Sequence, residues 1–332
     1  MAVDLLNLEP TKVSRDLKGK YILIYGLPKT GKTSIAVRFP KSFLLAFEKG
    51  YNALANVMKY DIPNWRTMKE VLRELRKPAV QEKFDSVIVD TASIAWEKCA
   101  DYICAQHGVN ELGDVAWGKG FSACKKEFQK TLQEISMLGY GIVFLAHAEE
   151  KTPMGGKEED MYIAPNLDKR PYSIINGMVD IIACIDIDKE TRERFLQMRS
   201  TPAIFAGSRF KYMPARIPLS YENLVDALGE AIEKEGEASG GRIVDERVDL
   251  KDTKERSFEE CMDEARELWT GIQDKDPSDA MVDKLLKIVE NNFGQKIKLS
   301  TVSPEQQDLL ELTILDSVSY THLRAHETLR HL

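Results

Sequence analysis

The stretch ILIYGLPKTGKTSIAVRF, Ile22 to Phe39, limits what this chain can fold into more than any other. Gly26-Leu27-Pro28-Lys29-Thr30-Gly31-Lys32-Thr33 fits G-x-x-x-x-G-K-[ST], after a short apolar run and before a helical pattern. In such a loop the glycines let backbone N–H groups approach and cradle phosphates. The lysine, Lys32, reaches the β and γ oxygens, and the hydroxyl of Thr33 serves Mg²⁺. Ser34 continues the same phosphate-binding stretch. The pattern says where phosphates sit and nothing about how their energy is used.

Apolar runs at Tyr21–Tyr25, Ser42–Phe47, Phe84–Asp90 and Tyr140–His147 read as buried strands. Helical patterns lie between them at Thr33–Phe39, Thr67–Arg76, Ile94–Gln106 and Phe121–Leu138. Strands alternating with helices predict an α/β fold with a mainly parallel sheet between helices. HGVNELGDVAWGKG reads as a loop, and the polar, Pro/Gly-punctuated segment Glu149–Pro171 as a long one. DIIACIDID and RERFLQMRS flank Lys189-Glu190-Thr191 as an antiparallel hairpin, and Tyr221–Glu235 closes the region as a helix. The expected divisions are an extension (1–17), an α/β ATPase domain (18–235), a solvated linker (236–256) and a small helical module (257–317). The tail 318–332 carries His322, His326 and His331, and Val318–Thr328 resembles a translated transposon-type sequencing adapter. It is set aside as an artefact, with the natural C-terminus expected to be missing.

Bulk properties narrow the class. No apolar run approaches the about 18 residues that span a bilayer, and the acidic start is unlike a signal peptide. The five cysteines form no C-x-x-C pair and read as buried thiols rather than a zinc site. A net charge of −7 argues against a surface that binds nucleic acid all over, while leaving room for a local basic groove.

Five further sets of residues carry candidate chemistry, each with a plainer alternative. Asp90 ends an apolar strand, where a carboxylate holds the water shell of Mg²⁺ or caps the next helix. Glu48 follows the second apolar run and can orient or deprotonate an attacking water, or simply face solvent. His147 ends the fourth run, placed to bond a γ-phosphate or to sit satisfied at a strand end. Arg209 and Lys211 are candidate cations for a neighbouring subunit's nucleotide or for DNA backbone; alternating basic residues also suit a strand edge. Trp117 and Lys119, with Lys169 and Arg170, can line a path for single-stranded nucleic acid or be ordinary loop residues.

Taken in order, Gly26–Thr33, Glu48, SVIVD to Asp90, His147, the polar loop and the hairpin resemble a RecA-type ATPase core. Residues from about 18 to 230 resemble, more narrowly, phage-borne RecA-like ATPases of the Sak type, with GYGIVFLAHAEEK and DVAWGKGF in that family's style. The resemblance implies ATP and Mg²⁺ as ligands and a homo-oligomer acting on single-stranded DNA in recombination or annealing. It implies a single-strand-binding protein as a further partner and a bacterial host's cytoplasm as the setting. It gives Glu48 the water-activating role, His147 the γ-phosphate switch, and Arg209 and Lys211 a role in trans. Strand contacts fall around Asn110–Gly120 and Glu149–Pro171. Two departures stand out: the long loop is acidic at Lys157-Glu158-Glu159-Asp160, and the 257–317 module is not covered. Competing readings are a nucleotide-regulated adaptor with little turnover and a small-molecule kinase. The kinase lacks an Arg-x-x-x-Arg lid, and the hairpin fits it poorly.

Overall fold

A computed structural model describes residues 13–14, 17–152, 157, 160–240, 243–244, 257–275, 278–314 and 316–317. The tail 318–332, most of the 1–17 extension and the pair Glu158-Glu159 lie outside them. The chain divides into two compact units, one over residues 10–252 and the other containing 253–332.

The first unit begins with β1 (Val13–Ser14), β2 (Tyr21–Gly26), α1 (Lys32–Ala36), β3 (Ser42–Ala46), β4 (Lys59–Asp61), α2 (Trp65–Leu75) and α3 (Pro78–Lys83). Next come β5 (Ser86–Asp90), α4 (Ala92–His107), short 3-10 turns at Leu112–Asp114 and Ala116–Gly118, α5 (Lys119–Met137) and β6 (Gly141–Lys151). It ends with β7 (Tyr162–Pro165), α6 (Lys169–Met178), β8 (Ile181–Ile187), β9 (Arg194–Gln197), β10 (Gly207–Ser208), β11 (Arg216–Pro218), α7 (Tyr221–Ser239) and β12 (Ile243–Val244).

The main sheet has the order β11-β9-β8-β2-β6-β5-β3-β4. From β8 to β4 all neighbours are parallel, and β9 and β11 add antiparallel strands at one edge. One strand, β6, therefore separates the glycine-loop strand β2 from the Asp90 strand β5. This is a mixed α/β P-loop core with a mainly parallel central sheet. Both faces of the parallel strands are covered, which is why β2 and β5 read as unbroken apolar runs.

Alternation along β2 builds two cores. Leu23 and Tyr25 join Trp65 of α2, Trp96 of α4, Phe128 of α5 and Ile175 of α6 on one face. Ile22 and Ile24 join Ile35 of α1 and Leu224 and Leu228 of α7 on the other. Phe128 is fully buried, stacked on Trp65 with centroids 5.7 Å apart and edge-on to Trp96 at 5.4 Å. Helix starts are fixed locally: the Asn64 side chain accepts the Thr67 N–H at 3.0 Å, and the Ser220 hydroxyl accepts that of Asn223 at 2.9 Å.

Several elements depart from expectation. Helix α1 ends at Ala36 rather than Phe39, because the chain tightens into three-residue turns (Arg38 N–H to Ile35 O, Phe39 N–H to Ala36 O) ahead of Pro40. The segment Glu149–Pro171 is not one loop. Strand β6 runs on to Lys151 and pairs antiparallel with β7, from Ala148↔Pro165 to Lys151↔Tyr162. Lys169 and Arg170 open α6 rather than lying in a loop, and Pro171 sits in the first turn, where its missing N–H costs nothing. The short, wholly exposed edge strand β4 has no apolar pattern to reveal it. Helix α7 continues to Ser239, and within the expected linker β12 pairs parallel with β1.

In the second unit, α8 (Phe258–Lys275) and α9 (Asp279–Phe293) are followed by helical residues 307–314. Cys261, Met262, Ala265, Leu310 and Ile314 form one small core, and Ile272, Met281 and Leu285 another. Among the described residues, no helix is long and apolar enough to cross a membrane.

Candidate functional site

Parallel pairing brings the carboxyl ends of β2, β6, β5 and β3 to one edge of the sheet, where ligands of open α/β folds bind. Gly26 is in register with His147, and Ala46 with Asp90. The N–H groups of Phe47 and Glu48 both donate to Asp90 O, at 2.8 and 3.2 Å, which turns the chain after β3 across the end of β5. Glu48, Asp90, His147 and the glycine loop are thus brought together by the sheet itself.

Lys32 is only 6% exposed. Its Nζ donates to Gly26 O at 3.0 Å and Leu27 O at 2.8 Å, so the ammonium lies within the loop it serves. Burial lowers its pKa, and the carboxylates of Asp90 and Glu48 oppose that shift. Thr33 Oγ1 donates to Asp90 Oδ2 at 2.9 Å. Asp90 is 2% exposed, and burial pushes its carboxyl up to about 6. The Thr33 hydroxyl works against this rise, Glu48 adds to it, and Lys32 and His147 oppose it. His147 Nε2 stands 3.6 Å from Glu48 Oε1, while His147 Nδ1 is buried without a hydrogen-bond partner among the described residues.

This corner suits a small hard cation. The Thr33 hydroxyl and the Asp90 carboxylate converge, and Gly50 faces them with no side chain. A Cβ there would lie 3.4 Å from Asp90 Oδ2, 3.7 Å from Thr33 Oγ1 and 3.9 Å from Glu48 Oε1. One hydroxyl and one carboxylate suit Mg²⁺, which takes one or two protein oxygens and completes its shell with water and substrate phosphates.

The other candidates fall in two places. Trp117 is 94% exposed at φ +62, two residues before Lys119 at the start of α5. The last turn of α5 is at the amino end of the sheet, where Ser136 Oγ and Tyr21 Oη are 2.6 Å apart. Nineteen helical residues span about 28 Å, so the start of α5 lies toward the carboxyl end. Arg170 of α6 lies over the ring of Phe121, with Cζ 4.1 Å from the centroid, which brings Lys169 and Arg170 to the same flank. Arg209 is instead at the amino end, with Nη1 3.3 Å from Asp180 Oδ1 and Nη2 donating to Gly177 O at 2.6 Å. Lys211 Nζ lies 5.1 Å from the Tyr212 ring centroid.

Sequence reasoning passed over Gly50 and Arg194. Arg194 Nη1 donates to Thr30 O at 3.2 Å, within the glycine loop. A strand position 164 residues away carries no local signal for such a contact.

Over 329 residues the chain is 29% identical to the SPbeta prophage-derived uncharacterized protein YorG of Bacillus subtilis (strain 168), covering 95% of this chain and 98% of that protein. Among solved structures it resembles a KaiC-like protein from the hyperthermophilic archaeon Pyrococcus horikoshii OT3 (TM-score 0.34, 10% identity, 58% of this chain and 89% of that one). It also resembles the RadB recombinase (TM-score 0.36, 13% identity, 55% and 81%). Both likenesses are too distant to say anything of function. The sequence pattern of the AAA domain family matches residues 18–210, more than half of the chain and the whole of the phosphate corner, so the chain belongs to the AAA domain family.

Proposed function

We propose that the protein binds and hydrolyses ATP with Mg²⁺ and couples this to single-stranded DNA in phage-type recombination or strand annealing. The observation that carries the hydrolytic reading is the corner formed by Lys32, Thr33, Asp90 and Glu48, in which an ammonium, a hydroxyl and two carboxylates meet at the end of a phosphate loop. Lys32 exchanges its bonds to the Gly26 and Leu27 carbonyls for phosphate oxygens. Thr33 and Asp90 would hold Mg²⁺ and its water shell. When bound, Mg²⁺ neutralises charge on the phosphates and orients them for attack. Glu48 orients the attacking water. His147, beside Glu48, donates to the γ-phosphate and reports its loss along β6 into the β6–β7 ribbon.

The DNA half of the proposal rests on the flank of Trp117, Lys119, Phe121, Lys169 and Arg170. An exposed indole beside cations suits stacking bases and a phosphate backbone of any sequence. The resemblance to Sak-type ATPases points the same way, and the prophage relative fits action in a bacterial host's cytoplasm. Self-assembly belongs to the same reading. A role in trans for Arg209 requires a neighbouring copy's nucleotide to meet the amino end of this sheet, and release of the guanidinium from Asp180.

Glu48→Gln separates hydrolysis from binding. The expected result is a loss of turnover of about 100-fold with ATP affinity kept within a few-fold. An equal loss of affinity, or no loss of turnover, removes Glu48 from the role.

A further inference from the structure

Arg194 opens β9 and is tied to the phosphate loop twice. Its Nη1 bonds Thr30 O, and the same group covers the next residue. A Cβ on Gly31 would lie 3.0 Å from Arg194 Nη1 and 3.9 Å from its Cζ, and Gly31 itself is at φ +107. The carbonyl of Arg194 accepts the Leu219 N–H at 2.9 Å, so one residue joins β9, the approach to α7 and the loop.

Two other arginines of this part of the chain use their charge differently. Arg216 Nη2 stands 3.3 Å from Asp188 Oδ2 and its guanidinium stacks on Phe195, while Arg209 is held by Asp180. Arg194 pairs with no carboxylate among the described residues. A guanidinium carries five N–H donors in a rigid fork, and one of them goes to Thr30 O. A cation without a counter-charge, pinned against a phosphate loop, is placed to meet an anion.

The surroundings say which part of the anion. Thr33 points to Asp90. Ser34 is about 100° further round α1, and it lines a cavity of about 280 Å³ together with Gly31, Arg194 and Tyr221, where Arg38 and Glu222 face each other at 3.9 Å and offset one another's charge. The cation corner and this cavity therefore lie on different sides of the loop, and the cavity leaves room for a nucleoside.

We propose that Arg194 is a positioning residue for the nucleotide. It fixes the Thr30–Gly31 turn and offers its remaining donors to the phosphate nearest the nucleoside. This rests on the phosphate-site reading above. That phosphate is common to ADP and ATP and takes little part in the charge change at the γ-phosphate, so the contribution falls on binding rather than on the chemical step.

The test is calorimetric Mg²⁺-ADP affinity together with ATP hydrolysis, on the full chain, for wild type, Arg194→Ala, Arg194→Lys and Lys32→Ala. Arg194→Ala is expected to weaken ADP and raise KM for ATP about tenfold, with kcat at saturating ATP within about two-fold. Arg194→Lys, keeping charge but losing the fork, is expected between the two. Unchanged ADP affinity in either folded variant overturns the proposal, as does a fall in kcat equal to that in kcat/KM. If Arg194→Ala does not fold, the lysine variant alone decides. Wild type that binds nucleotide no better than Lys32→Ala overturns the underlying site reading, a result distinct from failure at Arg194.

Discussion

The two ends of the same parallel strands are built on different terms. At the amino end, most polar groups are spent on one another, although Asp85 Oδ2 and Ser86 Oγ are buried without a hydrogen-bond partner among the described residues. Asp180 accepts the Tyr21 N–H at 3.0 Å and pairs with Arg209, Tyr140 Oη donates to Leu75 O at 2.8 Å, and Asp85 stands 3.9 Å from both Lys18 and Lys41. At the carboxyl end, Asp90 is buried at a cost visible in its raised pKa, Lys32 donates its hydrogen bonds to carbonyls, and Arg194 pairs with no carboxylate among the described residues. Groups that satisfy each other hold a fold; groups held close and left short of counter-charge are set for a ligand.

Asp90→Asn should break the comparison most sharply. Hydrolysis is expected to fall by about 100-fold or more. Stability should move the other way. Burial raises the folded-state pKa from 3.8 to about 6, so the folded protein favours the protonated acid. That contribution is full below about pH 4 and is lost as pH rises through about 6, after which the charge destabilises the fold. In EDTA at pH 8, Asp90→Asn should therefore be more stable than wild type by about 1–3 kcal/mol, with the gap closing at pH 5, as read by thermal melts. Equal melting at both pH values would contradict the account of this corner.

Asp180→Ala probes the opposite end. It removes the carboxylate facing Arg209, which keeps its bond to Gly177 O, and leaves the Tyr21 N–H without its acceptor, and is expected to destabilise the fold by about 1–3 kcal/mol in denaturant titrations. Nucleotide affinity should be unchanged, and a matching loss of affinity would show that the two ends are not separable. The smallest effect is expected at the flank: Trp117→Ala should weaken binding of a labelled oligo(dT) by about five- to tenfold, with ATP affinity intact. Unchanged DNA binding would move the strand path elsewhere.

What could be read in advance follows the same division. The central strands were legible because burial on both faces demands unbroken apolar runs, as in SVIVD, and the residue that ends such a run (Asp90, His147) is placed by the sheet. The β6–β7 ribbon was not, because Glu149 and Glu150 stand in a strand outside the core, where no alternation is required. Helix α6 was hidden by Pro171 and Gly177. Arg194 was hidden for another reason: its contact with Thr30 depends on where β9 joins the sheet, which no local pattern encodes.

The most direct test of the central claim is steady-state ATP hydrolysis by the full chain with and without single-stranded DNA, beside Lys32→Ala. The account predicts Mg²⁺-dependent hydrolysis that rises with DNA and disappears in Lys32→Ala. Hydrolysis that survives Lys32→Ala would contradict the assignment of the site, and hydrolysis indifferent to DNA would contradict its coupling to the Trp117 flank.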